Sequence, residues 1–542
     1  MQRPLLLGCV AALWLSLLSG CDSLLGLDEL PSRVDELPAI DCTPGTVRSC
    51  YSGPEGTDGV GECRIGTQTC LAHGRGYDPC QGEVLPTTEV CESEADENCD
   101  GVSSCGEALW SASYGVESDE VGRRIASDAD GNVVVAGFYR DSVNLGNGLL
   151  PAAESRNIYL AKYGADGAPK WDVPLYGPGN LIMRDIAVAP DGSIVLVARL
   201  RGEITPYGAG TIVSAGSNDV WIVKFDPSGA HLWTRTFGDE EAQEPRAVGV
   251  DEDGNIVVTG YFEGFLDFGD ELVGSGEDRD AFVLKLSPEG DVLWWHTMSG
   301  PDDQFGLALA VAADASVYVS GHFFRSLDSG VGVIESNGSR DVFLVKIDSE
   351  GQPQWARGFG DGESQRCYGI ASDSQSNVAL IAYGRGAMDF GGDELAAIGG
   401  DDLFVASFSP SGEHRFSHRY GDYALAQAHG IAFDPFDHLI ITGGYEGAID
   451  FGGGALREAG VGSNNIFLAK LTPDGEHLFS HGFDVVGDQD AGAIERGWRN
   501  VASDPTGNIL LVGYHERGVI DFGTGPLEPA GGSDLFIAKF TP

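Results

Sequence analysis

Seven side chains recur at one position of a repeating pattern along this chain: Arg123, Arg184, Arg246, Leu307, Tyr368, His429 and Arg499. A guanidinium donates paired hydrogen bonds to carboxylates and phosphates. Four arginines and a histidine brought near one axis would therefore make a pocket for an anionic or glycan ligand. The binding candidates are Arg123, Arg184, Arg246, Tyr368, His429 and Arg499. A second use of the column is structural, each arginine pairing with the aspartate that opens the third strand of its own or the adjacent unit. Recurrence through several units favours that use, because residues repeated in every unit usually serve the repeat. The units that break the column, through Leu307, Tyr368 and His429, would then form the ligand-selective side.

Other chemistry-bearing patterns reduce to structure. HRFSH (His414, His418) and HLFSH (His477, His481) have the spacing that chelates zinc on a helix. On a strand that spacing separates the rings by roughly 13 Å, at about 3.3 Å per residue, and one metal cannot bridge them. DADGN from Asp128, DEDGN from Asp251 and DPTGN from Asp504 begin with spaced carboxylates as Ca²⁺ loops do, but they lack EF-hand length and the terminal Glu. They suit tight hairpin turns. The repeated Asp-Phe-Gly, at Asp267, Asp389, Asp450 and Asp521, starts a small excursion in a long loop. No nucleophile elbow, zinc-protease helix, phosphate loop or dinucleotide fingerprint is present in the sequence.

The elements that must position the column are strands. A unit of about 61 residues recurs from residue 107 onward, marked by Lys162, Lys224, Lys285, Lys346, Ser407, Lys470 and Lys539. Each unit alternates apolar and polar residues over short runs rich in Val, Ile, Phe and Trp, bounded by Asp-Gly or Pro-x-Gly turns, which predicts four antiparallel strands. A four-stranded sheet cannot bury both faces alone, so seven of them in radial array predict an all-β, seven-bladed propeller. The turn before each fourth strand carries Gly167, Gly229, Gly290, Gly351, Gly412 or Gly475. The seventh unit reaches its third strand at DLFIAKFTP. Its fourth is predicted from the other end of the chain, where Gly106-Glu107-Ala108-Leu109-Trp110 matches Gly475-Glu476-His477-Leu478-Phe479. With Asp280-Ala281-Phe282-Val283-Leu284-Lys285 and Val248-Gly249-Val250-Asp251 through Gly260, residues 107–542 resemble the bacterial seven-bladed β-propeller repeat family. That resemblance implies an exported propeller and leaves ligand and activity open. The Phe225–Trp233 segment is loosely similar to a quinoprotein blade but lacks its Thr-Gly-Lys core.

Upstream, Arg3 precedes an apolar stretch of signal-peptide length that ends in Leu18-Ser19-Gly20-Cys21. This resembles the lipobox of bacterial lipoproteins, which implies a signal peptide over 1–20, lipid on Cys21 and a tether over 21–41. Eight cysteines follow, Cys42, Cys50, Cys63, Cys70, Cys80, Cys91, Cys99 and Cys105. In an exported chain they predict four disulfides stapling a small domain over 42–105, ahead of the propeller at 106–542, with the pairing open. Within it, Asp96-Glu97-Asn98-Cys99-Asp100-Gly101 resembles an acidic motif of secreted Cys-rich proteins associated with metal binding. Asp96, Asn98 and Asp100 would suit Ca²⁺; a solvated acidic loop needs none.

The formal charge of −49 over 542 residues argues against nucleic acid as a partner, since phosphate binding needs a basic footprint. The expected function is that of an envelope lipoprotein, held to the membrane through lipid only. It would act as a non-catalytic binding or scaffolding platform for an envelope or surface protein or glycan. The alternative is a glycan-processing or quinone-linked propeller enzyme with an axial active site.

Overall fold

Runs such as Ile256–Phe262 and Asp280–Leu286 put β-branched and aromatic side chains on both faces of a short strand, so both faces must be covered by neighbouring sheets. The computed structural model describes residues 42–542 apart from 55–56, 88–94, 96, 98, 100–104, 152–155, 205–209, 270–271, 399, 423–425, 457–464, 487–500 and 517. One compact unit takes the described residues up to Gly59 together with Cys63–Leu85; the other takes Val60–Glu62 and Pro86–Pro542.

The larger unit is the propeller. Blade 3 shows the plan: Gln243–Val250, Ile256–Phe262, Asp280–Leu286 and Val292–Met298 pair in chain order as an antiparallel sheet. Blades 1, 2, 4, 5 and 6, over 120–175, 180–237, 304–359, 365–420 and 426–483, repeat it. Blade 7 is composite, with Val501–Ser503, Ile509–Glu516 and Ser533–Phe540 continued by Ala108–Tyr114 as outer strand. In that pairing Trp110 lies opposite Lys539 and Tyr114 opposite Leu535. First strands contact one another around the ring, so they line the axis. Seven apolar clusters fill the seven blade interfaces, and the closing one joins Val512, Leu535 and Ile537 of blade 7 to Val133, Val135 and Tyr159 of blade 1.

Two polar latches repeat around the ring, one between blades and one within them. In five blades the indole Nε1 of a fourth-strand tryptophan donates to a carbonyl in the next blade's last turn: Trp110 to Ala165 (3.0 Å), Trp171 to Pro227 (3.1 Å), Trp233 to Pro288 (2.9 Å), Trp294 to Ser349 (2.9 Å) and Trp355 to Pro410 (3.0 Å). The ring lies on that turn's glycine, where a Cβ on Gly229 would sit 3.0 Å from Trp171; the residue needs positive φ (83°) and has no room for a side chain. The second latch explains the marker lysine. In five blades its ammonium meets the first-turn aspartate of its own blade: Lys162–Asp128 (2.8 Å), Lys285–Asp251 (2.9 Å), Lys346–Asp314 (3.1 Å), Lys470–Asp434 (2.8 Å) and Lys539–Asp504 (2.8 Å). In blade 5 the lysine is Ser407, and Arg415 of the fourth strand reaches Asp373 instead (3.7 Å).

The smaller unit has one two-stranded sheet, Val47–Cys50 with Gly66–Thr69. Disulfides join Cys42 to Cys70 and Cys50 to Cys80, and Cys63, Cys99 and Cys105 are disulfide-bonded as well. Cys91 lies outside the described residues. Cys42, Cys63 and Cys70 are themselves the buried apolar residues of this unit, so bridges replace a core. Closing its loops, 28 and 30 residues apart in sequence, contributes about 3–4 kcal/mol each.

Candidate functional site

The column falls on a recurrent irregularity of the backbone. In each of blades 1 to 6 the first strand carries a β-bulge, and the bulged residue is Arg123, Arg184, Arg246, Leu307, Tyr368 or His429. A bulge leaves one residue without a cross-strand partner and re-aims its side chain. Arg499 lies outside the described residues, as do Cys21, Asp96, Asn98 and Asp100.

Three further registers surround the bulges. Two residues before each bulge stand Val121, Ile182, Glu244, Phe305, Arg366 and Gln427. Directly across on the second strand are Phe138, Arg199, Tyr261, His322, Tyr383 and Gly444, with Tyr514 equivalent in blade 7. Just ahead of the third strand come Arg156, Arg279 and Arg340. The sequence carries a signal for this set: arginine stands immediately before the Asp or Asn that opens the third strand in blades 1, 3 and 4. Among the described residues these four registers hold two carboxylates, Glu244 and Asp401, and Asp401 is taken by Arg385 (3.1 Å).

The guanidiniums outnumber the carboxylates of these registers, and of the set Arg279 is paired just outside them, with Glu263 (2.6 Å) and Asp303 (3.5 Å). Glu244 serves three of them, pairing with Arg184, with Arg246 (2.8 Å) and with Arg199 (3.5 Å). Burial alone would raise the Glu244 carboxyl, but the three arginines overcome it and hold it below the usual carboxylate range. Arg123 is pushed down to about 9 by burial and then by Arg124, Arg184 and Arg156. Arg184 is pushed down to about 9 by burial and by Arg246. Aromatic faces take up part of this charge: Arg123 and Arg156 lie over Phe138 at 4.5 and 5.0 Å, Arg279 near Tyr261 and Phe305 at 5.8 and 5.7 Å, and Arg340 over Phe324 at 5.3 Å. Arg366 donates to the Tyr383 hydroxyl (3.5 Å), whose ring stacks on Tyr368 at 5.3 Å.

The expected structural use of the column is corrected in its partner. The third-strand aspartates cap their own loops: Asp219 accepts from the amide of Ala215 (2.7 Å), Asp341 from that of Asn337 (2.6 Å) and Asp402 from that of Ile398 (2.8 Å). Arg184 and Arg246 turn to a carboxylate of the mouth itself.

The opposite mouth, at the far ends of the first strands, holds a larger cavity of about 480 Å³ lined by Asp128, Asp251, Asp373, Asp434 and Asp504. These carboxylates close the hairpin turns, as read from the sequence: Asp128 Oδ1 accepts from the amides of Asp130 (3.0 Å) and Asn132 (2.9 Å), and Oδ2 meets Lys162. Asp267, Asp389, Asp450 and Asp521 each accept from the amide two residues on (2.8 Å), at the start of the excursions. His477 shares a hydrogen bond with Ser480 (3.1 Å) and lies on one strand with His481.

His429 differs from the rest of its column. It is 2% exposed, neither ring nitrogen has a hydrogen-bond partner among the described residues, and it borders a cavity of about 30 Å³ with Thr442, Leu511 and Tyr514. Burial pushes its imidazole from 6.5 down to about 4. Between these values the unfolded chain binds a proton that the folded chain refuses. The stability His429 allows is thus complete above pH 6.5 and falls as pH drops toward 4, by about 3 kcal/mol in all. His429→Leu should match or exceed the native melting temperature at pH 7, and its advantage should widen steadily on acidification to pH 4.5. Parallel melting curves across that range would show the imidazole to be no part of the acid response.

No known protein family matches the chain. It is similar to an uncharacterized WD repeat-containing protein of Acanthamoeba polyphaga mimivirus, 22% identical over 428 residues, covering 63% of this chain and 31% of the relative. It is also similar to the regulatory protein FlaEY of Caulobacter vibrioides, 25% identical over 213 residues, covering 37% of this chain and 22% of that protein. The chain thus spans less than a third of either relative. Solved structures with some likeness include a protein of unknown function from Bacteroides caccae (12% identical, TM-score 0.32, covering 60% of this chain and 89% of the other). Another is YCF48 from Cyanidioschyzon merolae (10%, 0.32, 80% and 99%).

Proposed function

We propose that this protein is an exported, lipid-anchored binding platform whose arginine-rich channel mouth captures an anionic ligand of the cell envelope or surface. The observation that carries the reading is the crowding of guanidiniums at the bulged mouth of a chain whose formal charge is −49. One carboxylate, Glu244, is shared by three arginines, and burial with like-charge neighbours depresses Arg123 and Arg184. An incoming carboxylate would relieve that repulsion with charge-assisted hydrogen bonds. The rest of the surface repels a stiff duplex laid across it, such as nucleic acid, so the ligand enters the mouth by a terminal or flexible segment. The disulfides support an oxidising, exported compartment. Cys21 supplies the anchor in this reading.

Arg340 and Arg366 test it, because both are half-buried and neither enters an ion pair among the described residues. An Arg340→Gln/Arg366→Gln variant should bind an acidic polysaccharide such as polygalacturonate at least about tenfold more weakly than the native protein, with its melting temperature retained. Native binding should weaken with salt, and neutral dextran should not bind. Equal retention of dextran and polygalacturonate, or no effect of the double substitution, would overturn the reading.

A further inference from the structure

We infer that the seam between blades 7 and 1 forms a discrete subsite of this mouth for a carboxylate-bearing sugar residue. The inference rests on the anion-binding reading above and names its ligand class. A cavity of about 240 Å³ opens there, lined by Arg123, Arg156, Phe138, Tyr139, Tyr514 and Asp119, with Arg140 beside Asp119 (3.5 Å). It is smaller than the roughly 300–1,000 Å³ of pockets that enclose drug-sized ligands, which suits a single ring.

Three features select the class. Arg123 and Arg156 share the Phe138 ring, which brings two guanidiniums to the lining of the cavity. Arg156 is exposed and joins no ion pair among the described residues, so its planar fork is open to a carboxylate. Asp119 contributes an acceptor that would repel a bare oxyanion but can accept hydrogen bonds from ring hydroxyls. An acidic peptide finds less here. The strand that supplies Phe138 and Tyr139, Val133–Tyr139, is paired on both sides and offers no free edge for strand addition.

Calorimetric titration of the purified protein with glucuronate, galacturonate, glucose, sulfate and tetraglutamate tests the assignment. At least one uronate should bind ten or more times tighter than glucose, sulfate or tetraglutamate. Arg156→Gln should abolish that preference and Arg156→Lys should recover part of it, while the melting temperature stays within a degree for both. The assignment fails if uronates bind no better than glucose, if sulfate or tetraglutamate binds as well, or if Arg156→Gln leaves the preference intact. Should uronates fail while polygalacturonate still binds and still depends on Arg340 and Arg366, the subsite is lost and the broader reading stands. Loss of both overturns both.

Discussion

Replacing residues 107–114 by a Gly-Ser segment of equal length is expected to cost more than about 5 kcal/mol and to leave the propeller prone to aggregation. The strand Ala108–Tyr114 is the outer strand of blade 7, and Ser533–Phe540 would lose one whole side of its ladder. Trp110 would no longer donate to Ala165 of the adjoining blade 1 (3.0 Å) or cover Gly167, and removing a packed tryptophan alone costs about 3–5 kcal/mol. The bond from the Thr541 amide to the carbonyl of residue 107 (2.8 Å) would lose the ordered strand that presents its acceptor. Scanning calorimetry reads the loss. Shortening the exposed hairpin tip at 330–332 gives the comparison, since Val331 there is 46% exposed and should cost under about 1 kcal/mol. A synthetic peptide spanning 106–116 should bind the altered protein and restore most of the melting temperature. A replacement no worse than the tip deletion would mean that the ring closes by apolar contact alone.

That closure was legible because it is a local match, five residues against five, in a repeat whose strands and turns keep one period. The blade count followed from the marker lysine in the same way. Its purpose did not, because Lys470 and Asp434 lie two strands apart and meet only once the blade has folded. The arginine column shows the opposite limit. Its position was readable, yet the bulge that sets it off inserts an extra residue into the period-two alternation, and the alternation is what assigns side chains to faces. The third-strand aspartates looked like partners because they are charged and recurrent. Their own loop amides lie four residues away and claim them first. The arginines ahead of those aspartates belong to the mouth through register alone, which sequence spacing does not convey across a long loop.

Lys470→Ser is expected to destabilise the protein by about 3 kcal/mol at neutral pH, because it strands a carboxylate rather than because the native pair is strongly favourable. Burial lowers the Lys470 ammonium more than Asp434 raises it, so desolvation offsets much of the attraction. Burial likewise tends to raise Asp434, and hydrogen bonds from His438 and Lys470 with the charge of Lys470 hold it low. Without the lysine, Asp434 keeps the amides of Phe436 and His438 (2.9 Å each) but carries an uncompensated charge at zero side-chain exposure. Its carboxyl should then rise, and the deficit of the variant should shrink as pH falls and Asp434 takes up a proton. Blade 5 contains the natural remedy, with Ser407 at the lysine position and Arg415, the bulged residue of the fourth strand, reaching Asp373 (3.7 Å) and Asp474 of the next blade (3.6 Å). Leu478 is the same bulge in blade 6, so adding Leu478→Arg to Lys470→Ser should recover roughly half of the loss. Full recovery is not expected, because the position that holds Asp474 in blade 6 is Cys105 in blade 7 and offers the new arginine no second carboxylate. If denaturant titrations find the double variant as unstable as Lys470→Ser alone, the arginine of blade 5 is not a substitute for the lysine, and Asp373 must be tolerated there for another reason.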